Sequence, residues 1–164
     1  NLENQLDENS KIIRVMPSIA MEVCQSLTAI YPNKNISESD LYIVKSLFDK
    51  LGTALITDEE DLERVYVVAG SASGYVAQIV NSRTIAAHAI RSTTEVERTS
   101  IQVFAGAIEL LKTSNITAKE MAKAVATEGG TTIEGIKYMQ SQNLDDIFSN
   151  AHKASYEKVK NMKL

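Results

Sequence analysis

The chain has 164 residues, 44% of them hydrophobic and 23% charged, which is material for one sizeable core or two small domains sharing one. Its net charge is −4 and its seventeen Lys and Arg are scattered, which excludes the basic stripe of a nucleic-acid binder. With one cysteine (Cys24), two separated histidines (His88, His152), no apolar run near the ~20 residues of a membrane span and no signal-peptide pattern, the expectation is a cytoplasmic protein without disulfide or metal site.

The first residues, Asn1-Leu2-Glu3-Asn4, carry no initiator Met, as expected of a fragment of a longer protein. Lys11-Ile12-Ile13-Arg14-Val15 is a β-rich run halted by Met16-Pro17 and predicts a strand. Residues 26–30 predict a second strand, ended by Tyr31-Pro32-Asn33. Ser37, with Asp40 three residues on, is placed to cap a helix that carries Leu41, Val44, Leu47, Phe48 and Leu51 on one face and ends at Gly52. Residues 53–56 read as a further strand. Strand, helix and strand with tight links form an α/β pattern. So small a sheet has exposed edges and half a core, so more strands are expected upstream.

From Thr57 onward the pattern is helical. Thr57 with Glu60, Thr94 with Glu97 and Thr117 with Glu120 each have the Thr-x-x-Glu spacing of a capping box. Val65-Tyr66-Val67-Val68-Ala69 fits a buried strand or a helix, and periodicity does not separate them. Gly70-Ser71-Ala72-Ser73-Gly74 reads as a small-residue link, and residues 75–90 as a long alanine-rich helix. Residues 95–113 are the most informative. Between Ile101 and Leu111 only Gln102, Gly106 and Glu109 interrupt apolar residues, so this helix is expected to be enclosed on all sides. A small domain has little with which to surround it. A partner chain is therefore expected over Ile101, Val103, Phe104, Ile108 and Leu111, with the centre of a monomeric bundle as the alternative. Residues 144–162 place Leu144, Ile147, Phe148, Ala151, Ala154 and Val159 at helical spacing, with a lysine-rich end suited to the negative pole of the helix.

The candidate site is Thr127-Glu128-Gly129-Gly130-Thr131-Thr132-Ile133-Glu134, between a helix over 117–126 and another that begins with Ile133, Ile136 and Met139. Two glycines allow φ > 0 and close backbone approach, and Thr131 with Glu134 has capping-box spacing. Several backbone N–H groups then point one way, the outline of an anion site. The plain alternative is an ordinary helix–turn–helix corner.

Three segments in fixed order carry a resemblance. Lys11-Ile12-Ile13-Arg14-Val15-Met16-Pro17 resembles the end of the nucleotide domain of pyrroline-5-carboxylate reductases, which continues Asn-Thr-Pro. Gly70-Ser71-Ala72-Ser73-Gly74-Tyr75 resembles their Gly-Ser-Gly-Pro-Ala-Tyr link. Gly129-Gly130-Thr131-Thr132-Ile133 matches the last five positions of their Ser-Pro-Gly-Gly-Thr-Thr-Ile signature. The resemblance implies a mostly α fold: over 58–164 a helical dimerisation domain of the 6-phosphogluconate dehydrogenase C-terminal-like type, preceded over 1–57 by an α/β remnant of a Rossmann domain. It implies NAD(P)H-dependent reduction of pyrroline-5-carboxylate to proline by a homodimer, or a higher oligomer, joined through the helical domain. The Gly-rich dinucleotide turn would lie upstream, so this chain alone is expected to be inactive and to bind no cofactor.

Carried over by position, the resemblance gives Thr132 the catalytic hydroxyl, which bonds the ring nitrogen and relays a proton. It gives Thr127, Glu128, Gly129, Gly130, Thr131 and Thr132 the substrate carboxylate, and Met16, Pro17 and Ser18 the nicotinamide. The sequence departs from the family at Glu128, where the family has proline. It departs also at Ser18-Ile19-Ala20, and at Asn81 and Arg83, where the family tends to have an acid and a leucine. A Glu128 carboxylate ~5 Å from a bound carboxylate repels it by roughly 3 kcal/mol at an effective dielectric of ~20. Two other readings therefore stand beside the enzyme: a non-catalytic dimeric paralogue, and a reductase of another imine or acid.

Overall fold

The computed structural model describes residues 5–90 and 95–161. Asn1 to Asn4, Thr94 of the expected Thr94–Glu97 box and Met162 of the last predicted helix lie outside the described residues. The elements are β1 (Ile13–Met16), a 3-10 helix (Ile19–Val23), β2 (Ser26–Pro32), α1 (Glu38–Asp49), β3 (Gly52–Ile56), α2 (Glu59–Gly70), α3 (Ala72–Ile90), α4 (Val96–Thr113), α5 (Ala118–Val125), α6 (Thr131–Ser141) and α7 (Leu144–Lys160). The fold is mostly α with a small sheet near the amino end, as expected. It divides into two compact units: the residues up to Tyr75 together with those from Ala151 on, and Val76–Asn150.

In the first unit β2 lies at the centre of the sheet, antiparallel to β1 and parallel to β3, with Ile30 opposite Val15 on one side and Ile56 on the other. The parallel pair needs a crossover, and α1 supplies it. Strands flanked on both sides bury their side chains: Thr28, Ala29 and Ile30 are all inaccessible. The core is completed by Ala54 of β3, Leu62 and Val67 of α2 and Val159 of α7. Burying Ile30 and Leu62 contributes about 1.5–3 kcal/mol each.

Ser37 caps α1 as expected, its hydroxyl accepting from the Asp40 amide at 3.2 Å. Of the predicted apolar face, Leu41, Val44, Phe48 and Leu51 are half-buried, while Leu47 is exposed. Gly52 does not end α1; Lys50 is its C-cap, and Gly52 opens β3. There φ is +142°, and a Cβ would fall 2.1 Å from the Ser26 carbonyl oxygen, so only glycine fits.

The ambiguous run over 65–69 is helical, inside α2. The cap of α2 is Asp58, whose carboxylate accepts from the Asp61 amide at 2.7 Å. The expected Thr57–Glu60 box fails because the Thr57 amide is still used by the sheet, donating to the Ile30 carbonyl at 2.9 Å. The link over 70–74 shrinks to Ser71 alone between α2 and α3. The Tyr75 hydroxyl then reaches α7, 3.2 Å from the Ala151 carbonyl and 2.5 Å from Ser155 Oγ. Its ring meets His152 edge-on at 5.2 Å.

In the second unit the Thr117–Glu120 capping box forms in both directions. Thr117 Oγ1 accepts from the Glu120 amide at 3.2 Å, and Glu120 Oε2 accepts from the Thr117 amide at 2.8 Å. These bonds hold the Glu120 carboxyl below its ordinary value of 4.5.

Candidate functional site

The stretch over 127–132 forms a tight turn into α6. Gly130 N–H donates to the Thr127 carbonyl at 3.0 Å across a Gly129 with φ of +75°. A three-residue bond with positive φ at the third residue is the type II pattern, which favours glycine there. Gly130 is favoured for a different reason. A Cβ on it would lie 2.8 Å from Thr127 Oγ1 and 3.0 Å from the Thr127 carbonyl oxygen. The two glycines thus serve separate needs, one torsional and one steric.

The turn delivers Gly130, not Thr131, to the N-cap position, with φ −82° and ψ 161° and no side-chain cap bond. The predicted Thr131–Glu134 box is therefore absent, since Thr131 is already the first helical residue and Glu134 pairs with Lys137 at 2.7 Å. The first amides of any helix lack partners inside it, and no capping side chain occupies those of α6. Thr131, Thr132 and Glu128 are all exposed. Among the described residues Glu128 forms no hydrogen bond or ion pair, with the turn, Lys123 or Arg83. It leaves the amides of the α6 start unoccupied.

In the first unit, Met16 and Pro17 form a half-exposed apolar edge at the carboxyl end of β1. Ser18 differs from them, being 6% exposed. Its amide donates to Ser26 Oγ at 3.1 Å, and its own hydroxyl lies 3.3 Å from the same atom. Ser26 Oγ is also 3.0 Å from Thr28 Oγ1. Ser26 and Thr28 were not singled out by sequence, although their i, i+2 spacing in a strand puts both on one face.

The second unit is thinly enclosed. Among its described residues Val96 and Ser100 of α4 are the buried ones. They mark the inner face of α4, and Phe104 and Leu111 are half-buried beside them. Ile101 and Ile108 flank that face on one side and Val103 and Leu110 on the other, all four more than half exposed. The expected enclosure of α4 is thus incomplete within one chain. In the same unit Ala122, Ile136, Met139 and Leu144 line an open cleft of about 490 Å³, whose rim carries Asp145 and Asp146. No three His, Cys, Asp or Glu groups among the described residues are placed to hold a metal ion.

A family model described as "Pyrroline-5-carboxylate reductase dimerisation" matches residues 59–162. The chain is 28% identical to a pyrroline-5-carboxylate reductase from Aquifex aeolicus, over 98% of this chain and 61% of that protein. It is also 28% identical to pyrroline-5-carboxylate reductase 2 from Bacillus subtilis, over 82% of this chain and 49% of that protein. The chain therefore spans between half and three fifths of the length of these relatives. Among solved structures it resembles a pyrroline-5-carboxylate reductase from Coxiella burnetii, with TM-score 0.91 and 25% identity over 98% of this chain and 60% of that one. It shares its fold with a Plasmodium falciparum pyrroline carboxylate reductase solved with NADP bound, at TM-score 0.91 and 24% identity over 99% and 66% of the two chains. A family match running from α2 into α7 on so closely shared a fold admits one assignment: the chain belongs to the pyrroline-5-carboxylate reductase family and carries its dimerisation domain.

Proposed function

We propose that this chain is the C-terminal part of a pyrroline-5-carboxylate reductase acting in cytoplasmic proline biosynthesis. Residues 1–57 are assigned to the end of a Rossmann-type domain and 58–164 to the helical dimerisation and substrate domain. The observation that carries the reading is the turn over Thr127 to Gly130, which feeds an uncapped α6 start beginning Thr131-Thr132.

At that start a carboxylate meets free backbone donors and the positive end of the helix. Because Gly130 N–H is committed to Thr127, the donors are the amides of the first α6 turn, with Gly129 beside them. The exposed Thr132 hydroxyl is available to bond the ring nitrogen and pass it a proton as the C=N carbon gains hydride. NAD(P)H supplies that hydride when bound. The apolar edge of Met16 and Pro17 suits the flat nicotinamide ring, whereas no Gly-x-Gly-x-x-Gly for the phosphates occurs in this sequence. Ser18 contributes backbone rather than hydroxyl, since its side chain is turned inward.

The partner is a second copy, seated over Ile101, Val103, Phe104, Ile108 and Leu111. The exposed apolar flanks of α4 support this. One observation favours a second reading, a non-catalytic dimeric paralogue: a carboxylate, Glu128, stands in the turn that would receive an anion. Oxidation of NADPH or NADH by the intact protein, dependent on added pyrroline-5-carboxylate, tests the choice. No substrate-dependent oxidation with either nucleotide overturns the reductase.

A further inference from the structure

Ser18 occupies the N-cap position of the 3-10 helix Ile19–Val23, with φ −87° and ψ 160°, yet its hydroxyl makes no cap bond. Serine in that position ordinarily turns its oxygen to the helix amides. Here it turns to the sheet, where Ser26 Oγ accepts from the Ser18 amide and shares a hydrogen bond with the Ser18 hydroxyl. A hydroxyl has one proton to give and two lone pairs. Ser26 accepts from the Ser18 amide, gives its proton to one neighbouring hydroxyl and accepts from the other, so its capacity is filled. Ser18, Ser26 and Thr28 are 6%, 2% and 0% exposed, so no water replaces a lost partner cheaply. Ser26 is itself held by its backbone: its amide donates to the Leu51 carbonyl at 2.9 Å, and Gly52 lies against it.

We propose that Ser26 is a positioning residue, whose hydroxyl fixes the Ser18 amide and thereby sets the backbone of Met16, Pro17 and Ser18 for contact with the nicotinamide. The inference rests on the reductase reading and names a determinant of its cofactor affinity. Thr28 supplies the contrast. Its hydroxyl touches Ser26, but the bond from the Ser18 amide to Ser26 Oγ does not pass through it.

The test uses the intact protein and measures NADPH affinity by fluorescence, KM for NADPH against kcat, melting temperature, and hydrogen exchange at the Ser18 amide. Ser26→Ala should weaken NADPH binding roughly tenfold, the equivalent of one hydrogen bond, and raise KM more than it lowers kcat. It should also deprotect the Ser18 amide. Ser26→Thr, which keeps the hydroxyl, should recover most of the affinity. Thr28→Val should lower the melting temperature while NADPH affinity stays within twofold. If Ser26→Ala does not fold, Ser26→Cys is read in its place, with its volume kept and its acceptor weakened. Equal weakening by the Ser26 and Thr28 variants, or none by Ser26→Ala, overturns the proposal alone. A wild-type protein that binds neither nucleotide overturns the reductase reading and this proposal together.

Discussion

The guanidinium of Arg83 on α3 donates to Ser100 Oγ on α4 at 2.6 Å, and Ser100, wholly buried, donates in turn to the Val96 carbonyl at 2.8 Å. Arg83 is one of the positions that departs from the family pattern, and it forms no ion pair among the described residues. Its charge is therefore used to satisfy a buried hydroxyl. Arg83→Met should cost about 1 kcal/mol, below the ~1.5–3 of a fully buried charged bond because the arginine is largely exposed. A thermal-denaturation cycle with Ser100→Ala should show a coupling of at least ~0.5 kcal/mol. Strict additivity would assign the pair no role.

Glu120 is held below its ordinary pKa first by the Thr117 backbone N–H and then by the Thr117 hydroxyl. A lowered carboxyl pKa stabilises the fold at pH values above the unfolded value, and that stabilisation is lost as pH falls through the folded one. The start of α5 should thus be steady at neutral pH and loosen below about pH 4.5. Amide exchange at Thr117 and Glu120 across that range checks it. In Glu120→Ala this acid dependence should vanish.

Ile108 lies on an exposed flank of α4, 55% accessible, so a charge there has little effect on the fold of one chain. Ile108→Asp should split a dimer into folded monomers in sedimentation. Phe104→Asp should do so with added loss of stability, because Phe104 is half-buried. A stable wild-type monomer would remove the assigned interface.

On the proposed reductase reading, Thr132→Val should lower the turnover of the intact protein with little change in melting temperature. Since Gly130 holds the cap position, Thr131→Ala should change stability by no more than ~0.5 kcal/mol, the usual range for surface positions. Equal kinetic loss in both variants would move the catalytic hydroxyl away from Thr132.

Glu128 is exposed and engages none of the α6 amides among the described residues. Its effect on a bound carboxylate is therefore long-range and screenable. Glu128→Gln should tighten proline binding severalfold at low salt, and the gain should shrink as ionic strength rises. Titration calorimetry with proline at two salt concentrations reads this out. A gain independent of salt would point to direct contact instead.

The sequence carried the helices well where periodicity and local capping agreed, as at Thr117–Glu120. It misplaced caps where another bond had already claimed the backbone: Thr57 is held by the sheet, and the local turn from Thr127 to Gly130 shifts the α6 start by one residue. Gly52 looked like a helix stop because its real constraint, the Ser26 backbone, is 26 positions away in the chain. The hydroxyl set of Ser18, Ser26 and Thr28 was invisible for the same reason. Each is an ordinary residue whose meaning comes from a neighbour that the local pattern does not name.

The bond between the Tyr75 hydroxyl and Ser155 Oγ joins residues 80 positions apart, and Val159 enters the same unit's core from still later in the chain. The sheet-bearing unit is therefore assembled from two separate stretches of the chain, the residues up to Tyr75 and those from Ala151 on. While a ribosome is still making the intervening helices, Tyr75 waits without Ala151 and Ser155. Contacts of such long separation form slowly and leave apolar surface open in the interval. Nascent chains stalled before Ala151 should accordingly be held by chaperones more than chains released whole.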